Sequence, residues 1–484
     1  MLERLKLKVG ILHSLIGKND GVSIVIDQTV MAMTQQMNVE LGNIYFLSGH
    51  SSPRFNVQTN EVFWHKNDVH KKIIQEFCSE PTSELEATIV EHATDARDVI
   101  KKFVEKNDID LLIAHNTSHP YNFITAVGLG FYMDELHEQG LLWPKVVVWW
   151  HDSFFERPEF ANPNAVIKKY LKYLPGVKVD GIVFINSKQV GLGKRYFDEY
   201  DGQIKDRFFA DRVCVIPNTT ELEWDWEELN WDSTELLAPP QDKYNEHFFK
   251  DIGLDDEIKK RGFSIDDAVI LLQHTRIVSR KKIELALDFA FRLEKKFDQH
   301  RLNKCFVLLV SGHSGDEQSA YKEFLRNYYQ QKLAENPGSR VLLFFGEDRI
   351  LSHRESIVDK KYYSFAEVPS IVAAHGGIGT YFSDVEGFGN NLLEMMSLGM
   401  PVVINRYDVY KRDIEPLGFD VLAVDNLQIT DQIVEETFSI LTDIRKRNRI
   451  VQHNLCVLKE KLNHSIISEK LSALLHDSFT RILK

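Results

Sequence analysis

The sequence predicts an α/β protein made of two doubly wound domains, each a parallel sheet covered by helices on both faces. Three observations lead to that fold class. Short apolar runs alternate with amphipathic stretches from Val9 to Ile216, and a second series of the same kind begins at Ala268. An acidic, Trp-rich stretch separates the two. A chain of 484 residues also exceeds what one ordinary hydrophobic core fills.

In the first series, residues 9–12, 44–47, 111–114, 146–150 and 181–185 form short apolar runs, the pattern of strands buried on both faces. Between them, 22–37, 83–105 and 121–138 space their apolar residues at helical intervals. Val213-Cys214-Val215-Ile216 adds a strand closed by the turn pair Pro217-Asn218. From Glu221 to about Glu246 the chain carries Trp224, Trp226, Trp231 and Pro239-Pro240 among acidic residues, and 221–262 is expected as a linker or surface insertion. The second series gives strands at 268–272, 306–311, 341–345, 380–383, 402–404 and 421–423, with helices near 281–297, 315–332 and 389–398. Beyond 426 the pattern is helical, ending in a helix over 466–483. The expected organisation is a first domain over 1–220, a second over 263–462 and a C-terminal helix over 463–484.

Composition narrows the function classes. Hydrophobic residues at 43% and charged residues at 27% fit a soluble globular protein. A net charge of −13 opposes general affinity for nucleic acid or anionic membranes, so neither is an expected partner. Cys78, Cys214, Cys305 and Cys456 show no Cys-x-x-Cys spacing, which suits buried thiols in a reducing compartment. No apolar run has the length of a membrane span, and the stretch Met1 to Lys8 lacks the apolar core of a leader. A cytoplasmic enzyme is the class expected.

The densest chemical signal is Ser383-Asp384-Val385-Glu386-Gly387-Phe388-Gly389-Asn390-Asn391-Leu392-Leu393-Glu394. It sets two carboxylates on either side of a glycine-containing turn that opens into an apolar helix. Gly387, Phe388 and Gly389 let the backbone approach a ligand, and the N–H groups of Asn390, Asn391 and Leu392 then face it. Such a helix start suits a phosphate, helped by the positive end of the helix dipole. Glu386 can reach a sugar hydroxyl on one side of a pyrophosphate, and Glu394 a ribose on the other. The pattern is that of a nucleotide-sugar site.

Here the chain resembles the family-4 type of retaining glycosyltransferases, whose fold is GT-B: two Rossmann-like domains facing a cleft, with a C-terminal helix crossing back to the first. The resemblance implies a nucleotide-sugar donor held chiefly by the second domain, with no metal or other cofactor required. The block Leu272-Gln273-His274-Thr275-Arg276-Ile277-Val278-Ser279-Arg280-Lys281-Lys282 is similar to the family's Arg and Lys pair, with Arg276 and Lys281 in the matching positions. It departs from the common pattern at Thr275 and Lys282, where glycine is frequent. Cations at this strand-to-helix loop can stabilise the charge that builds on a departing diphosphate. Three successive cations at a helix start oppose its dipole, and an anionic ligand explains them better than a solvated face.

Three strand tips of the first domain carry further candidates. His151, after Val146-Val147-Val148-Trp149-Trp150, matches the family histidine that touches the transferred sugar; a loop histidine capped by Asp152 is the alternative. His115, Asn116 and His119 lie in a polar tip suited to a polyhydroxylated acceptor, or to a turn with a helix cap at Ser118 or Asn122. Ile16-Gly17-Lys18-Asn19-Asp20-Gly21 resembles the family's glycine loop, with Gly21 alone where adjacent glycines are common. Lys18 there could bind an acceptor's phosphate or carboxylate.

Two segments mimic other chemistries. His375-Gly376-Gly377 precedes a strand rather than opening a helix, so it reads as a turn. Asp108-Ile109-Asp110 has the spacing of a metal-binding Asp-x-Asp but sits at the amino end of its strand. The expected function is hexose transfer from a nucleotide diphosphate sugar to a small soluble hydroxylated acceptor, with features of compatible-solute enzymes in the Arg276 block and the His115 tip. A membrane-associated lipid glycosyltransferase and a silent GT-B binding subunit are the alternatives. Donor base, sugar, acceptor and self-association stay open at this point.

Overall fold

The computed structural model describes residues 7–17, 20–51, 56–201, 211–313, 319–357 and 360–480. The chain divides into two compact units, one formed by Met1–Thr219 with His464–Lys484 and the other by Thr220–Asn463.

The first unit is built on seven strands: β1 (Val9–Ile16), β2 (Ile44–Ser51), β3 (Val57–Thr59), β4 (Leu111–His115), β5 (Lys145–Trp150), β6 (Gly181–Phe184) and β7 (Val213–Val215). They line up as β3-β2-β1-β4-β5-β6-β7, every neighbouring pair parallel. Every residue of β4, β5 and β6 is buried, the consequence of helices on both faces. Helices α1 (Gly21–Gln35), α2 (Leu85–Asn107), α3 (Phe123–Glu138) and α4 (Ser187–Tyr200) supply that cover. From Phe123 to Met133 helix α3 carries no charged residue, because that length of it is enclosed. Its Gly128 lies so close to α2 that an added Cβ would sit 2.6 Å from the Ala96 Cβ, so any larger residue would force the two helices apart.

The second unit repeats the plan. Strands β8 (Ala268–Gln273), β9 (Cys305–Val310), β10 (Val341–Phe345), β14 (Ile378–Tyr381), β15 (Val402–Asn405) and β16 (Leu422–Val424) run in the order β10-β9-β8-β14-β15-β16, all parallel. A small separate sheet holds β11 (Ile350–Leu351), β12 (Glu355–Ile357) and β13 (Lys360–Ser364). Helices α5 (Ile283–Gln299), α6 (Ser319–Glu335), α7 (Val368–Ala374), α8 (Asn390–Ser397), α9 (Asp431–Thr442) and α10 (Ile444–Lys461) surround the main sheet. In both sheets the order reverses beside the first strand, between β1 and β4 and between β8 and β14. Ligand crevices in open parallel sheets form at that switch point, outside the carboxyl ends of the strands.

The last helix, α11 (Ser465–Thr480), packs with the first unit against α1 and β7. Lys470 donates there to the Val215 carbonyl at 2.7 Å. The acidic, Trp-rich stretch is part of the second unit. Trp226 and Trp231 are buried against Val451 and Leu455 of α10, and the Trp224 indole donates to the Ser397 carbonyl at 2.9 Å, capping the carboxyl end of α8.

The structure departs from the sequence reading at short elements. The strand expected at 380–383 spans Ile378–Tyr381, because the chain enters the sheet directly from the Gly376-Gly377 turn, with Gly376 at φ 83°. Strand β3 and the small sheet have too few residues to show a period. No helix among the described residues is long and apolar enough to cross a membrane.

Candidate functional site

At the carboxyl ends of β8 and β14 the second unit gathers most of the residues singled out above. After β14 the chain turns through Asp384 and Glu386, and the Asp384 N–H donates to the Arg280 carbonyl at 2.9 Å. That contact brings Glu386 against the Ser279–Lys281 turn that follows β8. One Glu386 oxygen pairs with Lys281 Nζ; the other accepts from Arg280 Nη1 at 2.9 Å. The Lys281 and Glu386 side chains are only 5% and 8% exposed. Burial alone would raise the Glu386 pKa, but the charges of Lys281 and Arg280 outweigh it and hold the carboxyl down at about 2. Burial also lowers Lys281, to about 8, against the opposing pull of Glu386. The Lys281 ammonium lies 4.9 Å from the centre of the Tyr381 ring, a cation–π contact in a dry setting.

The three cations expected to await an anion are therefore partly answered from within the protein. Arg280 and Lys281 spend their charge on Glu386. Arg276 is exposed on the same loop, near enough to add to the lowering of Lys281. Lys282 adopts φ 50°, a left-handed conformation that explains why glycine is common at this place in the family the chain resembles.

Helix α8 begins directly after Gly389, which has φ 127° and no capping side chain. A Cβ on Gly389 would lie 2.4 Å from the Tyr407 hydroxyl, which donates to the Phe388 carbonyl at 2.6 Å. Glycine is thus fixed here by both conformation and space. Gly387 is exposed and Phe388 buried, while Asn390 and Asn391 are half-buried and Leu392 is buried, so the turn anchors on Phe388 and Leu392 and presents its backbone between them. One turn into the helix, Glu394 has its carboxylate 28% exposed and 3.2 Å from His274 Nε2. His274 is fully buried, stacked on Phe365 with centroids 3.8 Å apart, and its Nδ1 lies 2.9 Å from Ser311 Oγ. Glu386 and Glu394 thus flank the start of one helix, each held by a residue from the loop after β8.

In the first unit the tips of β1, β4 and β5 converge. His151 follows β5 and His115 ends β4, with His115 Nδ1 3.0 Å from His151 Nε2. The His115 ring lies near-parallel to the Trp149 ring, centroids 5.3 Å apart, and meets the His151 ring edge to edge at the same centroid distance. His13 on β1 reaches the His115 carbonyl at 3.1 Å through Nδ1. Burial, with the neighbouring His13, pushes His151 down to about 3, and burial pushes His115 well below its usual range. Both rings are neutral at neutral pH.

Asp152 does not cap His151. Its carboxylate accepts from Arg157 Nε at 2.7 Å and from the Ser153 N–H at 2.9 Å, because those donors lie on its own turn. His119 is 4.0 Å from Asp152 Oδ2 and is lowered by burial to about 4. It caps the next turn itself, its Nδ1 accepting from the Tyr121 N–H at 3.1 Å, in place of the cap expected at Ser118 or Asn122. Asn116, at φ 59°, ties two strand tips together, its Oδ1 accepting from the Asp152 N–H at 3.1 Å. Gly21 starts α1 behind Asp20, whose carboxylate caps Val22 and Ser23. Lys18 lies outside the described residues. Asp108 and Asp110 bind Lys8 and its backbone at the amino end of β4, as a strand start should.

The sequence reading counted Arg280 only as one of three successive cations and gave no role to His274 or Tyr381. Arg280 and His274 stand inside the block that drew attention to Arg276, so proximity to that block was the available signal.

No protein-family model matches the chain. A mannosylglucosylglycerate synthase from Petrotoga mobilis is 27% identical over 436 residues, 86% of each chain. HepE from Anabaena, solved in complex with UDP and glucose, aligns with a TM-score of 0.56 at 12% identity, over 97% of this chain and 99% of its own. Sucrose-phosphate synthase from Thermosynechococcus elongatus gives 0.55 at 14% identity, over 98% and 99%. The structural likenesses are likenesses of fold, and the fold is GT-B. In sequence the chain is similar to a compatible-solute enzyme of that fold.

Proposed function

We propose that this chain is a retaining hexosyltransferase, moving a hexose from a nucleotide diphosphate sugar to a small soluble acceptor such as a sugar, a sugar phosphate or a glycosylglycerate. The observation that carries the reading is the pair of carboxylates flanking the start of α8, Glu386 paired with Lys281 and Glu394 with His274. Support comes from two proteins it is similar to, a mannosylglucosylglycerate synthase and HepE, which was solved with UDP and glucose.

In this reading the diphosphate lies against Arg276, Lys281 and the backbone of Asn390–Leu392, and Glu394 takes the ribose. An arriving diphosphate competes for Lys281 and Arg280, and each contact it gains releases a Glu386 oxygen for a sugar hydroxyl. The cations then meet the negative charge that grows on the departing phosphate oxygen. A base at His151 is not needed, and a ring held at about 3 is too weak for one at neutral pH. The leaving phosphate oxygen, on the same face as the incoming hydroxyl, accepts its proton. Asn116 and His119, at the carboxyl end of the first sheet, are the proposed acceptor contacts together with Lys18, which follows β1 in sequence, and Gly21 in the same loop is a proposed donor contact.

The test is nucleotide release from UDP-glucose, GDP-mannose and ADP-glucose, with and without pooled sugars, sugar phosphates and glycosylglycerates. Release from one donor, raised by an acceptor and lost in Glu386→Ala, is expected. Neither release nor thermal stabilisation by any of the three donors would overturn the reading.

A further inference from the structure

His115 was nominated by sequence for contact with an acceptor, yet it is only 1% exposed. Among the described residues, the one polar partner of its ring is the other candidate histidine, His151, which is 9% exposed. The pairing joins His115 Nδ1 to His151 Nε2 at 3.0 Å, and a hydrogen bond of that kind needs one N–H and one lone pair. Two neutral imidazoles can meet the need in only two ways. Either both carry their proton on Nδ1, or both carry it on Nε2.

The two arrangements differ at the far side of each ring. With both protons on Nε2, His115 would point an N–H into the interior at an atom that has no hydrogen-bond partner among the described residues. With both on Nδ1, that atom is a bare lone pair. Buried donors without a partner are rarer in proteins than buried acceptors without one. The neighbouring Trp149 Nε1 is already a buried donor with no partner there, so a second in the same place would compound the cost.

We propose that His115 is a positioning residue that fixes the tautomer of His151, so that His151 turns an Nδ1–H donor toward its ligand. His115 Nδ1–H donates to His151 Nε2, His151 carries its own proton on Nδ1, and that nitrogen is the one left for an oxygen of the transferred sugar or its acceptor. The ring stack against Trp149 holds His115 in the required plane. This inference rests on the proposed transferase for the identity of the ligand, but the tautomer itself is a property of the unliganded protein. It also gives His151 a role as donor that excludes its acting as a base while so protonated.

The experiment is nitrogen-15 NMR of the full chain labelled at histidine, with the two rings assigned from His115→Asn and His151→Asn spectra. The expected result is an Nδ1–H tautomer for both His115 and His151 in the wild-type protein. An Nε2–H form of His151 would overturn the proposal. A second arm separates positioning from packing. Asparagine at 115 can present an amide N–H where Nδ1–H was, so His115→Asn should keep the His151 Nδ1–H signature and most of kcat. His115→Leu should release His151 to the Nε2–H form with kcat down by about tenfold or more and KM changed much less. Equal loss of kcat in both variants, with the tautomer unmoved, would also count against the idea. The expected tautomer in a protein without transferase activity would refute the function and leave this inference standing.

Discussion

Lys281 and Glu386, 105 residues apart in the chain, form an ion pair with neither side chain more than 8% exposed. Burying two charges is costly, and only good geometry with further hydrogen bonds compensates. Arg280 supplies such a bond to the second Glu386 oxygen, and the Tyr381 hydroxyl lies 3.5 Å from Lys281 Nζ.

Removing one partner should therefore cost more than removing both. Glu386→Gln leaves the Lys281 charge buried without its partner and is expected to lose about 3–5 kcal/mol of stability. Lys281→Met/Glu386→Gln should recover part of that loss. Denaturant unfolding of the two variants checks the order, and nucleotide release should vanish in both. A double variant less stable than Glu386→Gln would show that the pair is not coupled.

In the proposed function the same lysine should set a pH dependence of donor binding. Lys281 is held at about 8, below its ordinary range, so its positive charge is present below that value and lost above it. The Kd for the favoured nucleotide should be flat through neutral pH and rise above pH 8, by no more than about tenfold per pH unit. Isothermal titration across that range measures it. In Lys281→Arg, which stays charged, the rise should disappear.

Acid should strike the first unit before the second. Burial lowers His13, His65, His70, His115, His119 and His151 in the first unit, against His375 in the second among the described residues. A histidine with a folded pKa below 6.5 takes up its proton more readily when unfolded. Its contribution is complete above about pH 6.5 and is lost as pH falls toward the folded value. The loss is at most about 1.4 kcal/mol per pH unit for each group. Hydrogen exchange between pH 7 and 4.5 should show protection falling in β1, β4 and β5 while β8 and β9 hold. Simultaneous loss in both units would contradict this.

Gly389→Ala combines a backbone at φ 127° with a clash at the Tyr407 hydroxyl. It should cost about 2–4 kcal/mol, from strain of about 1–3 kcal/mol and a disturbed Tyr407–Phe388 hydrogen bond. Adding Tyr407→Phe removes the clash and should restore part of the loss, leaving the strain. Thermal unfolding of the single and double variants reads both parts.

The sequence foretold most of the sheet architecture, because strands buried on both faces leave long apolar runs such as Val146-Val147-Val148-Trp149-Trp150. It marked Glu386, Gly389 and Glu394 through their fixed spacing around one turn. Partnerships across the fold were not legible. Nothing local links His274 to Glu394, 120 residues on, or shows that Arg280 and Lys281 will be spent on Glu386. The burial of His115 was hidden for a related reason: a strand tip is exposed or enclosed according to what neighbouring tips contribute, here Trp149 and His151.

The placement of α11 reaches beyond the fold into the order of synthesis. The second unit, Thr220–Asn463, is complete before the helix that finishes the first has been made. Domains usually fold as they emerge from the ribosome, the earlier one first. Here the part translated first must wait with β7 and one side of α1 uncovered, an open sheet edge of the kind that invites wrong pairings. A nascent chain stalled near Asn463 would hold a finished second unit and an unfinished first one, so the shielding of the residues made first depends on a helix, α11, made after both sheets.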